Sequence, residues 1–156
     1  MKRFPNQSLL RYNTFGIDQK CDELIVFENE NDAVMLASEL NQHTAAGGRL
    51  LLLGGGSNLL LTRNFSGKVV TPEAKFSISV IMEAGTNIPY LKCWAGTTFD
   101  EVVDYAVRHG YYGMENLSLI PGQCGASAVQ NIGAYGAEAK DFISEIEAVE
   151  IATGRI

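Results

Sequence analysis

Two glycine-rich segments restrict what this chain can fold into more than any other feature. Residues 50–59 read LLLLGGGSNL, and residues 115–136 read ENLSLIPGQCGASAVQNIGAYG. Each places glycine, amide and hydroxyl groups beside an apolar element, where a backbone can wrap a large, phosphate-bearing ligand. One such loop is a weak signal, because tight turns use glycine as well. Two of them suggest two walls of one site.

A chain of 156 residues predicts one domain or two small ones. With 46% apolar and 19% charged residues, the composition is globular and not disordered. The net charge of −6, with no basic stripe, argues against nucleic acid as a main partner. It does not exclude an anionic ligand, since backbone N–H groups hold phosphate without Lys or Arg. The longest apolar run is far short of the roughly 20 residues of a membrane span. The start, through Lys2 and Arg3, leads into no apolar stretch, so no signal peptide is expected. Cys21, Cys93 and Cys124 form no Cys-x-x-Cys pair. Three reduced cysteines are expected, without a zinc site or disulfide framework.

Residues 23–28 read as a buried strand. Asn31 is expected to cap a helix through Gln42, with Ala33, Leu36, Ala37 and Leu40 on one face. Gly47 and Gly48 break it, and residues 50–53 read as a central strand covered on both faces. This β-α-β order is a small α/β unit. Residues 68–71, 77–83 and 90–95 are strand-like, with turn residues at 84–87 between the last two. Thr98 and Glu101 form a capping box. The helix that follows carries Phe99, Val102, Val103, Ala106 and Val107 on one stripe and stops at Gly110. Residues 143–152 have strand character, and residues 153–155 look like a hairpin turn whose return strand would begin at Ile156. An incomplete piece of a longer protein, or an edge covered by another chain, is expected from this. The expected division is a small α/β lobe over 1–65 and a second α+β lobe over 66–156, incomplete at its end.

The segment from Gly54 to Asn58 follows a strand, as a phosphate loop should. It lacks the Lys-Ser/Thr end of a Walker loop and the spacing of a dinucleotide helix. A tight turn and a nest of N–H groups for phosphate are equally weighted for this loop alone. In the second segment, Pro121 suits the first turn of a helix. Gly122 and Gly125 allow close approach, and Ser127, Gln130 and Asn131 place donors and acceptors at near-helical spacing. Such groups can read the edge of a flat heteroaromatic ring. Taken alone, the stretch reads more as a small-residue packing helix than as a cofactor site. His43 and His109 lack metal-ligand partners, Ser57 and Ser127 lack a base, and Glu115 reads as an ordinary loop carboxylate.

Four motifs carry a resemblance when set together. They are Asn13-Thr14-Phe15-Gly16, the run from Gly54 to Leu60, Glu115-Asn116-Leu117 with Ile120-Pro121-Gly122, and the run from Gln130 to Gly136. They resemble, in order, the UDP-N-acetylenolpyruvoylglucosamine reductase (MurB) family of peptidoglycan precursor synthesis. The likeness runs from about Tyr12 to the end, where residues 149–154 also look like the family's strand and turn. It implies the α+β FAD-binding fold of the vanillyl-alcohol oxidase (PCMH) type, here truncated. It implies that Leu53, Gly54, Gly55, Gly56, Ser57, Asn58 and Leu59 embrace the pyrophosphate of a non-covalent FAD. Ile120, Pro121, Gly122, Gly125, Ala126, Ser127, Gln130, Asn131, Ile132, Gly133, Tyr135 and Gly136 would line the rest. It also implies NADPH as electron donor, a UDP-sugar enolpyruvyl substrate and a cytoplasmic location.

In the family, a catalytic Arg in an Arg-Asp-Ser motif, a proton-donating Ser and a charge-stabilising Glu come later, with a third lobe. None has a match here, so no catalytic residue is expected in this chain, and the chain alone is expected to be inactive. Two other readings stand beside this one. The first is another FAD-dependent oxidase or dehydrogenase of the same fold, and the second is a non-catalytic flavin-binding module.

Overall fold

The computed structural model describes residues 1–83, 85 and 88–156. It divides into two compact units, Met1–Glu73 with Glu145–Ile156, and Ala74–Ser144. The expected turn at 84–87 lies, apart from Gly85, outside the described residues.

The first unit is built on a four-stranded sheet. β1 (Lys2–Ser8) runs antiparallel to β2 (Lys20–Phe27). β2 and β3 (Leu50–Leu52) both run parallel to β4 (Phe65–Pro72), in the order β1-β2-β4-β3. Side chains alternate faces along a strand. Leu24, Val26 and Val69 therefore pack on one side with Leu9, Leu53 and Leu61. Ile25 and Val70 pack on the other with Leu36 and Leu40 of α1 (Glu30–Ala45). β3 is an edge strand and not the expected central one, because β4 inserts between it and β2; Leu52 is 62% exposed.

The cap of α1 also differs from expectation. Asn29, not Asn31, ends the extended chain, and its side chain accepts from the Asp32 amide at 2.9 Å. The Asp32 carboxylate in turn accepts from the Glu28 amide at 2.9 Å. The Asp32 amide, one of those left over at this end, is thereby satisfied, as is the Glu28 amide just before the cap. Leu36, Ala37 and Leu40 are buried as the spacing predicts.

By packing, the first unit runs on through β4 to Glu73. β4 is bonded into the first sheet between β2 and β3 and cannot belong to a second core. Residues 145–156 return to the first unit, where Ile151 packs against the Ile25–Val70 cluster. The expected turn near 153–155 is closed: Glu150 donates to Arg155 O at 2.8 Å, and Gly154, at φ +72°, donates to Glu150 O at 2.7 Å. Residues 143–152 form no strand, having no ladder partner among the described residues.

The second unit starts with a two-stranded ribbon, β5 (Ile78–Met82) antiparallel to β6 (Pro89–Cys93). α2 (Phe99–Arg108) follows, with the expected capping box; Glu101 accepts from the Thr98 amide at 3.2 Å. Phe99, Val102, Val103 and Ala106 are buried, whereas Val107 is 38% exposed at the edge of the stripe. Phe99 and Val103 form a core with Leu117, against which Ile120, Cys124 and Ile132 pack. α3 (Cys124–Gln130) and a small hairpin, β7 (Gly133–Ala134) with β8 (Ala137–Glu138), complete the unit.

Candidate cofactor-binding segments

The glycine loop of the first unit follows β3. Leu53 is buried and Leu59 packs on the same cluster, so these two anchor the loop by their side chains. Gly56 is buried at φ +63°, and a Cβ there would stand 2.1 Å from Tyr12 O and 2.8 Å from Asn13 Cα. Its close neighbour is therefore the protein's own backbone. The motif at 13–16 provides that neighbour. Asn13 is 8% exposed, donates to Leu9 O at 2.7 Å and Ile17 O at 2.9 Å, and accepts from the Ile17 amide at 3.0 Å. The Thr14 amide donates to Gly56 O at 3.3 Å. This locked turn fixes where Gly54, Gly55, Ser57 and Asn58 sit.

In the second unit, Pro121 lies before α3, not within its first turn; the helix begins at Cys124 after Gln123. The preceding chain is pinned to residues 95–99. Phe99 donates to Gly122 O at 3.0 Å, Cys124 to Thr97 O at 2.9 Å, and Gly125 to Ala95 O at 2.9 Å. Gly122 has φ +138°. Ala126 follows Gly125 in the same helix. Ser127 is buried and donates to Cys124 O at 2.7 Å, which occupies its hydroxyl locally. Gln130 is exposed at the helix end.

Asn131 stops α3 in the left-handed region, at φ 44°. Its side chain donates to Glu138 Oε2 at 2.9 Å and accepts from the Lys140 amide at 3.0 Å. The Glu138 carboxyl is held below its ordinary range by Lys140, then by Asn131. Asn131 thus ties the helix end to the hairpin. Tyr135 and Gly136 form the tip at φ 51° and 82°, the two positive values a type I′ turn needs. Gly133 is short of a side chain because Ala137 O would lie 2.9 Å from its Cβ.

Of four non-glycine residues at positive φ among the described residues, three lie between 119 and 135: Leu119, Asn131 and Tyr135. Strained backbone of this kind concentrates at functional sites. Here it presents apolar side chains outward, with Leu119 83%, Val129 87% and Tyr135 90% exposed. Gln123 adds a buried Oε1 that finds no hydrogen-bond partner among the described residues. Sequence reading missed Leu119 and Val129 and did not single out Gln123. Only the position of Gln123 between Gly122 and Gly125 could have pointed to it. Leu119, Val129 and Tyr135 thus give this segment an exposed apolar character.

The remaining polar groups have structural partners. His43 Nε2 lies 3.1 Å from Arg49 O, and His109 stacks on Tyr105 with its Nδ1 2.7 Å from Tyr105 O. Glu115 accepts from the Gly113 amide at 2.8 Å. A groove of about 540 Å³ is lined by Asp100, Glu101, Asp104 and Glu115 among others, and its charge disfavours a pyrophosphate. No group of three or more potential metal ligands occurs among the described residues.

The chain combines an α/β sheet unit carrying a glycine loop with an α+β unit bearing an exposed apolar segment, and its class is that of an FAD-binding domain. The fold is the α+β FAD-binding fold of the vanillyl-alcohol oxidase type. The chain belongs to the FAD binding domain family, whose profile matches residues 24–156. It is similar to UDP-N-acetylenolpyruvoylglucosamine reductase of Shewanella sediminis (strain HAW-EB3), with 40% identity over 152 residues and 97% of this chain. The reductase of the same name from Escherichia coli (strain K12) is 37% identical over 96% of this chain. The crystal structure of UDP-N-acetylenolpyruvylglucosamine reductase (MurB) from Thermus caldophilus matches with a TM-score of 0.60 and 25% identity. That match covers 88% of this chain and 44% of that one. The chain spans 42% of the length of these two curated relatives. The reductase family to which the four motifs pointed is thus the family of its relatives.

Proposed function

We propose that this chain is the FAD-binding portion of a reductase that uses NADPH to reduce UDP-N-acetylglucosamine enolpyruvate to UDP-N-acetylmuramate. The observation that carries this reading is the 40% identity to a named reductase across 97% of the chain. The backbone of Gly54, Gly55, Ser57 and Asn58 would hold the pyrophosphate of a non-covalent FAD through N–H groups. Segment 120–136 would lie along the rest of the cofactor, with Gln130 and the Ile120–Gly122 backbone supplying polar contacts and Tyr135 an apolar one. The flavin, when bound, supplies the hydride chemistry. The protein's part here is to bind, orient and exclude water. No residue of this chain is assigned to proton donation or charge stabilisation at the substrate, so the chain alone is inactive. The reaction belongs to peptidoglycan synthesis in the cytoplasm, and so to cell shape and division.

The test is anaerobic. NADPH added to the full-length protein should bleach the flavin absorbance, and the UDP-linked enolpyruvate should restore it. Bleaching that is reversed by an alcohol-derived or sugar-derived carbonyl instead, with no response to the enolpyruvate, would replace this reading with another flavin dehydrogenase.

A further inference from the structure

The three cysteines are all free, but two of them are neighbours in the second unit. Cys93 ends β6 and Cys124 begins α3. Residues 94–97 turn the chain back, with Thr97 donating to Trp94 O at 3.0 Å. The returning segment then pairs with the start of α3 through the Cys124-to-Thr97 and Gly125-to-Ala95 bonds, both 2.9 Å, and the antiparallel bridge Thr98–Gln123. This pairing sets the Cys93 and Cys124 side chains beside one another, with the Cys93 thiol also donating to Leu91 O at 3.4 Å, and both residues are only half-buried. Cys21, in contrast, is buried in the first unit.

We propose that Cys93 and Cys124 form a reversible disulfide that acts as a redox-sensitive clamp between β6 and α3. The two thiols are not equivalent. The neighbouring Cys124 thiol holds the Cys93 thiol below its ordinary range, while the same neighbour and burial push Cys124 up. Cys93 is therefore the attacking group. With a peroxide as oxidant, the Cys93 thiolate attacks one oxygen and becomes a sulfenic acid as the O–O bond breaks, and the departing hydroxide takes up a proton as water. The Cys124 sulfur then attacks the sulfenic sulfur, its proton leaves with the hydroxyl as a second water, and the S–S bond forms. Two thiols lose two electrons in total, and the peroxide gains them. A dithiol reductant reverses the step by exchange. The clamp fixes the first residue of α3, beside Gly122 and Gly125, whether or not that segment meets a flavin.

The experiment uses the whole chain treated with hydrogen peroxide, with trypsin mapping under non-reducing conditions. Cleavage after Lys92, Arg108 and Lys140 places Cys93 in peptide 93–108 and Cys124 in peptide 109–140. The expected result is a linked 93–108/109–140 pair, a fall from three free thiols to one, and full recovery with dithiothreitol. Amide exchange over residues 124–130 should slow in the oxidised form, and Cys93→Ser should abolish both the link and the slowing. Independent over-oxidation of the two cysteines with no linked peptide would overturn the proposal. A link that leaves amide exchange of α3 unchanged would overturn the clamp.

Discussion

The Gly125 amide donates to the Ala95 carbonyl at 2.9 Å, and a Cβ built on Gly125 would stand 2.9 Å from the Ala95 Cβ. The approach is closer than two Cβ atoms tolerate, and the Ala95 backbone lies just behind, with Cα at 3.3 Å. Glycine is thus required here by packing within the unit, before any ligand is considered. Alanine would gain roughly 1 kcal/mol of helix propensity. Overpacking a tight contact costs about 1–3 kcal/mol. Gly125→Ala is therefore expected to destabilise the second unit, read as a lower urea midpoint. Ala95→Gly in the same chain should recover part of the loss. An unchanged midpoint in the single variant would show that α3 shifts freely.

The two adjacent loop glycines should behave differently. At Gly56 an added Cβ meets Tyr12 O at 2.1 Å, and the positive φ costs a further 1–2 kcal/mol or so. Gly56→Ala should destabilise the first unit outright. Gly55 has no positive φ and is half-buried. In the full-length protein, Gly55→Val should leave the circular dichroism intact but abolish the yellow absorbance, because the side chain blocks the backbone's approach to pyrophosphate. A folded Gly55→Val protein with full flavin stoichiometry would displace the cofactor from this loop.

What could be read in the sequence was local. The capping box of α2 and its buried stripe need only spacings of three and four, and both are present. The features that escaped depend on distant partners. An apolar run of four residues gives no sheet order, so β3 at an edge was not legible until β4 was placed. The buttress under Gly56 comes from Tyr12 and Asn13, and the partner of Cys93 lies at 124. The β7–β8 hairpin was hidden because its turn uses Tyr-Gly, where a bulky residue takes the position that Asn or Asp usually fills. Of the candidate cofactor residues, Ser127 and Asn131 have side chains bonded within their own unit. Sequence spacing cannot separate such a bond from one to a ligand.

The start of α1 separates two asparagines that look alike in sequence. Asn29 holds the Asp32 amide at 2.9 Å, whereas Asn31 is exposed in the first turn. Asn29→Ala should cost about 1 kcal/mol of stability. Asn31→Ala should change it by less than about 0.5 kcal/mol, as surface substitutions do. Thermal melts of the two variants check this, and equal effects would move the cap.

A four-member charge network gives the first unit an acid-sensitive component. Arg3 reaches Glu23 at 3.1 Å and Glu39 at 3.0 Å, and Lys68 reaches Glu39 at 2.8 Å. The Arg3 guanidinium, then the Lys68 ammonium, holds the Glu39 carboxyl down to about 2 from 4.5. Folding thus favours the ionised form. The stabilisation is complete above about 4.5 and fades as pH falls from there towards 2. Glu39 is 39% exposed, so solvent screening limits its worth to about 1 kcal/mol or less. Glu39→Gln should lower the urea midpoint at pH 7 by that small amount. The gap between variant and parent should close as pH falls from 5 to 2, and it should shrink at high salt. A gap that stays constant from pH 7 to pH 2 would assign Glu39 a packing role in place of a charge role.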